Sequence, residues 1–242
     1  MCFLHLRGTP PMCGRYVLAA NLSDIAAYFG GEATHADLWT WEPNWNMAPG
    51  IVAPVVALNG QGARTIIPMR WGLHPHWRKD MPTGKPMFNA RSETAFEKPS
   101  FRTPWRSRRA LIPMHGWYEW QGTTSPSAKP ASGKTPYYIQ PQEQGLSAFV
   151  GLWDQWRAGE GVTLLSFTIL TTPALGPLKH LHHRMPVRLP EDQWHNWLDS
   201  DVKPERTITH KLGSDDIEFH EVSKTVNSGR SQGANLIIKT VD

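Results

Sequence analysis

Seven short segments rich in Val, Ile, Leu, Thr and aromatic residues punctuate the chain. They are VAPVVAL (52–58), RTIIPMRWGL (64–73), RALIP (109–113), GWYEW (116–120), YYIQ (137–140), SAFVGLWD (147–154) and VTLLSFTILTT (162–172). Each has strand length and strand composition, and turn residues separate them; Asn59 to Gly62 divides the first two. So many strands, far apart in sequence, need a closed or strongly curved sheet to hide their edges. Helical signals are confined to the periphery. LSDIAAYFG (22–30) stops at Gly30-Gly31, and PEDQWHNWL (190–198) and PERTITHKL (204–212) come late. QGTTSPSAKPASGK (121–134) reads as a solvated loop between two strands, because the strand pattern resumes beyond it unchanged. One mixed domain is expected, mostly β with helices outside.

Composition narrows the setting. The 242 residues are enough for a substantial core, and 12 tryptophans with 40% hydrophobic residues argue against disorder. A formal charge of +4 permits a polyanionic partner. Two cysteines cannot form a disulfide framework, which suits a reducing, cytoplasmic location. No apolar run is long enough to span a membrane, and residues 1–11 (MCFLHLRGTPP) make a poor secretion signal, since the only basic residue follows the apolar part. They read as a removable or misplaced extension.

Reactive side chains concentrate in four places, and each allows two readings. HLHH (180–183) suggests a metal site, but no HExxH or paired cysteines accompany it and Arg184 would repel a cation. Surface histidines are the simpler account. Glu119 lies among aromatics on a strand, where alternation puts it with Trp117 on one face and Tyr118 with Trp120 on the other. Such a carboxylate is either paired for structure or held in a pocket for acid–base work. Asn89 and Arg91 face the same way if extended, which suits a phosphate, or they satisfy loop carbonyls. FRTPWRSRR (101–109) sets four arginines around Trp105, as in a single-stranded nucleic acid groove or simply on a solvated basic face.

The order of the motifs is more specific than any one of them. MCGR (12–15), NMAP (46–49), WGLHP (71–75), NARSET (89–94), GWYEW (116–120), HHRMP (182–186) and VSKTVN (222–227) follow one another along the chain. This series closely resembles the SOS-response-associated peptidase (SRAP) family of abasic-site processing proteins, from residue 12 to about 238. The resemblance implies an α+β fold, a single compact domain at 13–242 around a strongly bent, barrel-like and mostly antiparallel sheet. It implies a DNA-repair role, with abasic sites in single-stranded DNA as partner, no cofactor and no metal, and a monomer. By resemblance Cys13 is the nucleophile, and Asn89, Glu119 and His182 match the other catalytic positions. Arg15, Arg91 and Arg184 match phosphate-holding residues, Ser92 joins the DNA-contacting set, and Trp77 matches an aromatic wedge. The next position, aromatic in some relatives, is Arg78 here.

The chemistry explains why the cysteine should be terminal. An opened abasic sugar is an aldehyde. A free α-amine, with a pKa of about 7.7–8.0, condenses with it, and the neighbouring thiol then adds to the same carbon to give a thiazolidine. An internal cysteine has no such amine. Met12 therefore reads as the functional start, with residues 1–12 removed to expose Cys13. The imine stage also permits strand scission by lyase chemistry. Two other classes stay open: a thiol peptidase built on Cys13, His182 and Asn89, acting on proteins or on its own leader, and a non-catalytic single-strand binder.

Overall fold

In the computed structural model, residues 14–34, 39–82, 86–122, 134–205, 208 and 216–240 are described. The chain begins with β1 (Tyr16–Leu18), α1 (Leu22–Phe29), β2 (Glu32–Ala33), β3 (Asn44–Met47), β4 (Val52–Leu58) and β5 (Arg64–Trp71). It continues through β6 (Asn89–Arg91), α2 (Ser92–Ala95), α3 (Arg102–Ser107), β7 (Arg109–Met114) and β8 (Gly116–Gln121). β9 (Thr135–Pro141), β10 (Ser147–Arg157), β11 (Thr163–Pro173), β12 (Arg184–Pro186), α4 (Trp194–Leu198) and β13 (Ile217–Glu221) complete it. Every one of the seven strand segments read from sequence is a strand. PEDQWHNWL is a 3-10 turn leading into the short α4. Most of 204–212 and of the 121–134 loop lies outside the described residues.

Five strands close on themselves in the order β5, β4, β7, β10, β11 and back to β5. Four of the joints are antiparallel. The closing joint is parallel, with Ser166 beside Arg70 and Phe167 beside Trp71. β6 also runs parallel to β11, and β2 to β5. The closed barrel removes the edges that so many strands would otherwise expose.

A second sheet, in the order β13-β9-β8-β1-β3, lies against the barrel. Period-2 alternation splits its side chains between two cores. Tyr16, Leu18, Trp117 and Ile139 join the main core with Trp71, Phe149 and Phe167. Tyr16 meets Trp71 edge-on at 5.1 Å and Phe149 at 5.9 Å. Val17, Tyr118 and Tyr138 point the other way, to a small core with Val222, Val226 and Leu236, and Trp120 packs on it. Each fully buried large apolar side chain is worth about 1.5–3 kcal/mol, so the aromatic contacts between sheet and barrel fix their relative position firmly.

α1 shows the local logic. Asn21 caps it, accepting the Asp24 amide N–H at 2.9 Å. Ile25 and Phe29, four apart, are buried on one face. Gly30 ends it at φ 61°, a left-handed conformation that costs glycine nothing. Among the described residues no helix is long and apolar enough to cross a membrane.

Candidate active site

The site begins with the strand that follows the cysteine. β1 pairs antiparallel with β8, Tyr16 opposite Trp117 and Val17 opposite Gly116. The Tyr118 amide donates to the Arg15 carbonyl at 3.0 Å, so the pairing persists upstream of β1. Continued by one residue, this register brings Gly14 alongside Glu119. Cys13 itself lies outside the described residues. Glu119 is 5% exposed and shares the face of Trp117, as alternation requires.

Arg15 is fastened from several directions. Its Nη1 donates to Asn46 Oδ1 at 2.6 Å and to the Val226 carbonyl at 3.2 Å. Asn46 is fully buried, and its Nδ2 donates to the Val226, Ser228 and Ser231 carbonyls. The guanidinium lies 6.0 Å from the Trp120 ring, and Trp120 Nε1 donates to Asn227 Oδ1 at 2.7 Å. Burial pulls the Arg15 pKa below its ordinary value. The separate motifs MCGR, NMAP, GWYEW and VSKTVN therefore meet around one cation. Asn46 and Asn227 had no assigned role in the sequence reading; their membership of the ordered motifs was the available signal.

The second wall is built on β11. β6 runs along one edge, with Asn89 beside Ile169 and Arg91 beside Thr171. β12 runs along the other, with Pro186 opposite Thr171 and Arg184 opposite Pro173. Asn89 is half-buried, Arg91 is exposed and Ser92 is fully buried at the start of α2. Asn89 and Arg91 are thus extended and two apart, as expected.

Arg184 is 8% exposed and already has its counter-charge. Nη1 and Nη2 donate to Glu93 Oε1 and Oε2 at 2.5 and 2.8 Å, and Nη2 also donates to the Thr171 carbonyl at 2.5 Å. Arg91, not Arg184, presents an exposed guanidinium on this wall. Glu93 was missed as a site residue because its partner lies far away in sequence.

His182 is set by the same segment. The Arg184 amide donates to its Nδ1 at 3.1 Å, which leaves the proton of the neutral ring on Nε2. The Arg184 carbonyl is 3.2 Å from the same Nδ1, ready to accept if the ring is protonated. Nε2 is buried and has no partner among the described residues. Burial holds the His182 pKa below its ordinary value, and the charges of His183, Lys134 and Arg184 add to that, against the Arg184 carbonyl. The Gln121 side chain at the end of β8 donates to the His180 carbonyl at 3.2 Å, tying the first wall to the second.

Trp77 stands on a short loop and is 51% exposed. The loop is bolted to β10: Asp154, fully buried, accepts the His76 amide and His76 Nδ1, both at 2.9 Å, and also Arg108. Trp156 Nε1 donates to the Arg78 carbonyl at 2.6 Å. The Arg78 guanidinium lies 5.9 Å from the Trp77 ring.

FRTPWRSRR is not a base-stacking groove. It forms α3, whose Trp105 is 4% exposed. Arg109 is 2% exposed and donates to the carbonyls of Trp105, Arg106, Trp197, Asp199 and Val202, joining the ends of α3 and α4. Arg102 and Arg106 stay exposed, as on a solvated basic face, while tertiary burial, which composition does not reveal, turns Arg109 to structural use. Among the described residues no three His, Cys, Asp or Glu side chains gather to hold a metal ion.

The geometry agrees with what the chain is similar to. A family model described as SOS response associated peptidase (SRAP) matches residues 12–229. Abasic site processing protein YoaM of Bacillus subtilis is 34% identical over 93% of this chain and 97% of its own length. Abasic site processing protein HMCES of Mus musculus is 30% identical over 81% of this chain and 67% of its own. A crystal structure of a protein from Bacteroides thetaiotaomicron superposes with a TM-score of 0.80 at 20% identity, covering 95% of this chain and all of that one. One from Bordetella bronchiseptica gives 0.70 at 23%, covering 87% and 100%. The two structures carry the fold alone. The family match and the curated relatives, which span nearly the whole chain, establish that it belongs to the SOS response associated peptidase family.

Proposed function

We propose that this chain processes abasic sites in single-stranded DNA by covalent capture on Cys13. The observation that carries the reading is the β1–β8 register, which runs Gly14 beside the buried carboxylate of Glu119. The names of the relatives, abasic site processing proteins, agree with it. In this reading residues 1–12 are removed and Cys13 becomes the amino terminus.

The α-amine of Cys13 attacks the aldehyde carbon, and the carbinolamine loses water to give an imine. Glu119 protonates the departing hydroxyl and then accepts a proton. The Cys13 thiol adds its sulfur to the same carbon, its proton passing to nitrogen. The balance is one water released and a thiazolidine formed. His182, neutral with its proton on Nε2, donates to the sugar oxygen as the ring opens. Asn89 positions the reacting groups from β6. Arg15 and Arg91 hold phosphates, with Ser92 beside them, Arg184 orients His182 and takes phosphate only if Glu93 yields it, and Trp77 wedges against a base. Loss of the 3′ phosphate from the imine would be the lyase branch. The family's name favours one second activity, hydrolysis of the bond before Cys13 by the same groups, which would produce the terminal cysteine. We place the protein inside the cell as a monomer, where its cysteines stay reduced.

The test compares protein beginning at Cys13 with protein carrying an uncleavable extension. Denaturing gels with abasic single-stranded DNA should show a stable adduct only for the first, and peptide mapping should put it on Cys13. Cys13→Ser should give an imine trappable by borohydride but no stable product. An adduct on an internal Cys13, or on Cys2, would overturn the mechanism. Stable binding with no covalent species at all would favour the non-catalytic binder.

A further inference from the structure

We propose that Arg188 is the anchor of a second ligand site, one that takes a small molecule bearing a carboxylate or phosphate monoester. The site is separate from the one described above. Arg188 lies four residues beyond Arg184 on an extended segment, a span of roughly 13 Å. It lines a cavity of about 440 Å³ between the end of α1, the β9–β10 connection and the start of α4. That size suits a small metabolite.

The reason to expect an anion is an uncompensated buried charge. Arg188 is 5% exposed. Its Nη2 donates to Ser147 Oγ at 3.3 Å, while Nε and Nη1 are buried with no hydrogen-bond partner. No carboxylate forms an ion pair with it among the described residues, in contrast to Arg184 and Arg108. A guanidinium in this state loses solvation and gains little in return, so an oxyanion that reaches either unpartnered nitrogen, sharing the Nε/Nη2 or the Nη1/Nη2 edge, is favoured. Burial also pushes its pKa down to about 10, relieved in part by Asp216 and Tyr28.

The other walls limit the ligand. Tyr28 and Trp194 supply aromatic surface, and Ser147 a hydroxyl close to the guanidinium. Glu143 and Glu191 also line the cavity, and Glu191 accepts from the Tyr28 hydroxyl. These carboxylates disfavour a polyanion such as a DNA strand and offer acceptors to hydroxyl or ammonium groups. The fitting ligand therefore carries one oxyanion at its inner end and donors at its outer end.

The experiment is a titration of the full chain with sodium phosphate, sodium acetate and a nucleoside monophosphate. Sodium chloride at matched ionic strength is the reference, and melting temperature and calorimetry are read in parallel. Wild type should respond saturably to phosphate, acetate or the monophosphate beyond the chloride reference, and the arm that saturates names the oxyanion. Arg188→Met should abolish that response and should melt higher than wild type without ligand, because an unpaired buried charge is gone. Ser147→Ala should weaken binding about tenfold. Adduct formation with abasic DNA should be the same in Arg188→Met as in wild type, so the two proposals fail separately. Equal responses in wild type and Arg188→Met, or no saturable response in wild type, would overturn the site. Should Arg188→Met not fold, the Arg188 Nε–H resonance of wild type decides: a shift on adding any of the three oxyanions supports the site, and no shift sinks it.

Discussion

Arg184 reaches across β11 to grip Glu93 through both terminal nitrogens, at 2.5 and 2.8 Å. The pair joins the segment that sets His182 to the helix that follows Asn89 and Arg91. Glu93→Gln should therefore cost about 2–4 kcal/mol, because it strands a guanidinium that is 8% exposed. Urea unfolding checks this, and a change under about 0.5 kcal/mol would show that the pair holds nothing. The pH dependence has a defined sign. Burial raises the Glu93 pKa, but the bonds and charge of Arg184 outweigh it and the net shift is downward. The contribution is then fully present above the unfolded value, about 4.3, and is lost as pH falls through the lower folded value.

Arg91→Ala should behave differently from Arg184→Ala. Arg91 is exposed, so its loss should leave stability within about 0.5 kcal/mol and reduce the salt slope of DNA binding by about one. Arg184→Ala should mainly destabilise, leaving Glu93 and the His182 segment loose. Matching salt slopes for wild type and Arg91→Ala would remove Arg91 from the DNA path.

The contrast between these arginines shows where sequence reading stops. Period-2 alternation along GWYEW was legible, and Trp117 and Tyr118 do enter different cores. The seven strands read from sequence were legible because each is a local run; β1, β2, β3, β6, β12 and β13, only two to five residues long, were not. The ion pair was not, because its partners are 91 residues apart. FRTPWRSRR was legible only in part: Arg102 and Arg106 are exposed, as on a solvated face, but a six-residue helix has no periodic signature, and only contact with α4 shows that Arg109 is an internal clamp. The parallel joint of β5 with β11 was also hidden, since nothing local marks which edges of a barrel meet. At the site, the ordered motifs named the residues, but the roles of Asn46, Asn227 and Glu93 needed three dimensions.

His182 should leave a mark on acid stability. Its folded pKa lies below the unfolded value of about 6.5, so the unfolded chain binds the proton first. Stability is thus unaffected well above pH 6.5, declines as pH falls below it, and levels once the folded ring protonates. His74 and His115, also shifted down by burial, add to the decline. His182→Gln should reduce the slope of stability against pH in that window by up to about one proton, or about 1.4 kcal/mol per pH unit. An unchanged slope would mean that the ring is as easily protonated folded as unfolded.

Gly116 should tolerate no side chain. A Cβ there would lie 2.4 Å from the Ile139 carbonyl oxygen and 2.6 Å from the Tyr138 ring. Neither neighbour yields easily, since both belong to paired strands. Gly116→Ala should cost about 1–3 kcal/mol, and because Gly116 sits opposite Val17, it should also disturb the middle of β1. Gly122→Ala, with open space around it, is the control and should be near neutral. Equal melting temperatures for the two variants would contradict the packing described.

The Trp77 loop separates binding from stability within a few residues. Trp77 is 51% exposed, so Trp77→Ala should barely alter unfolding. If its ring stacks on a base, the same change should weaken single-stranded DNA binding by about 1–3 kcal/mol. Asp154→Ala reverses the balance. It removes the acceptor for His76 and Arg108 and leaves both without their partner, at a cost of about 2–4 kcal/mol, moderated because their side chains are 40% and 29% exposed. It also unbolts the loop, so part of the affinity should go with it although Asp154 itself is fully buried. In the double variant the two losses of affinity should not add, since an unanchored loop has no ring left to present. Strict additivity would show that Asp154 and Trp77 act independently, and that the carboxylate network does not position the wedge.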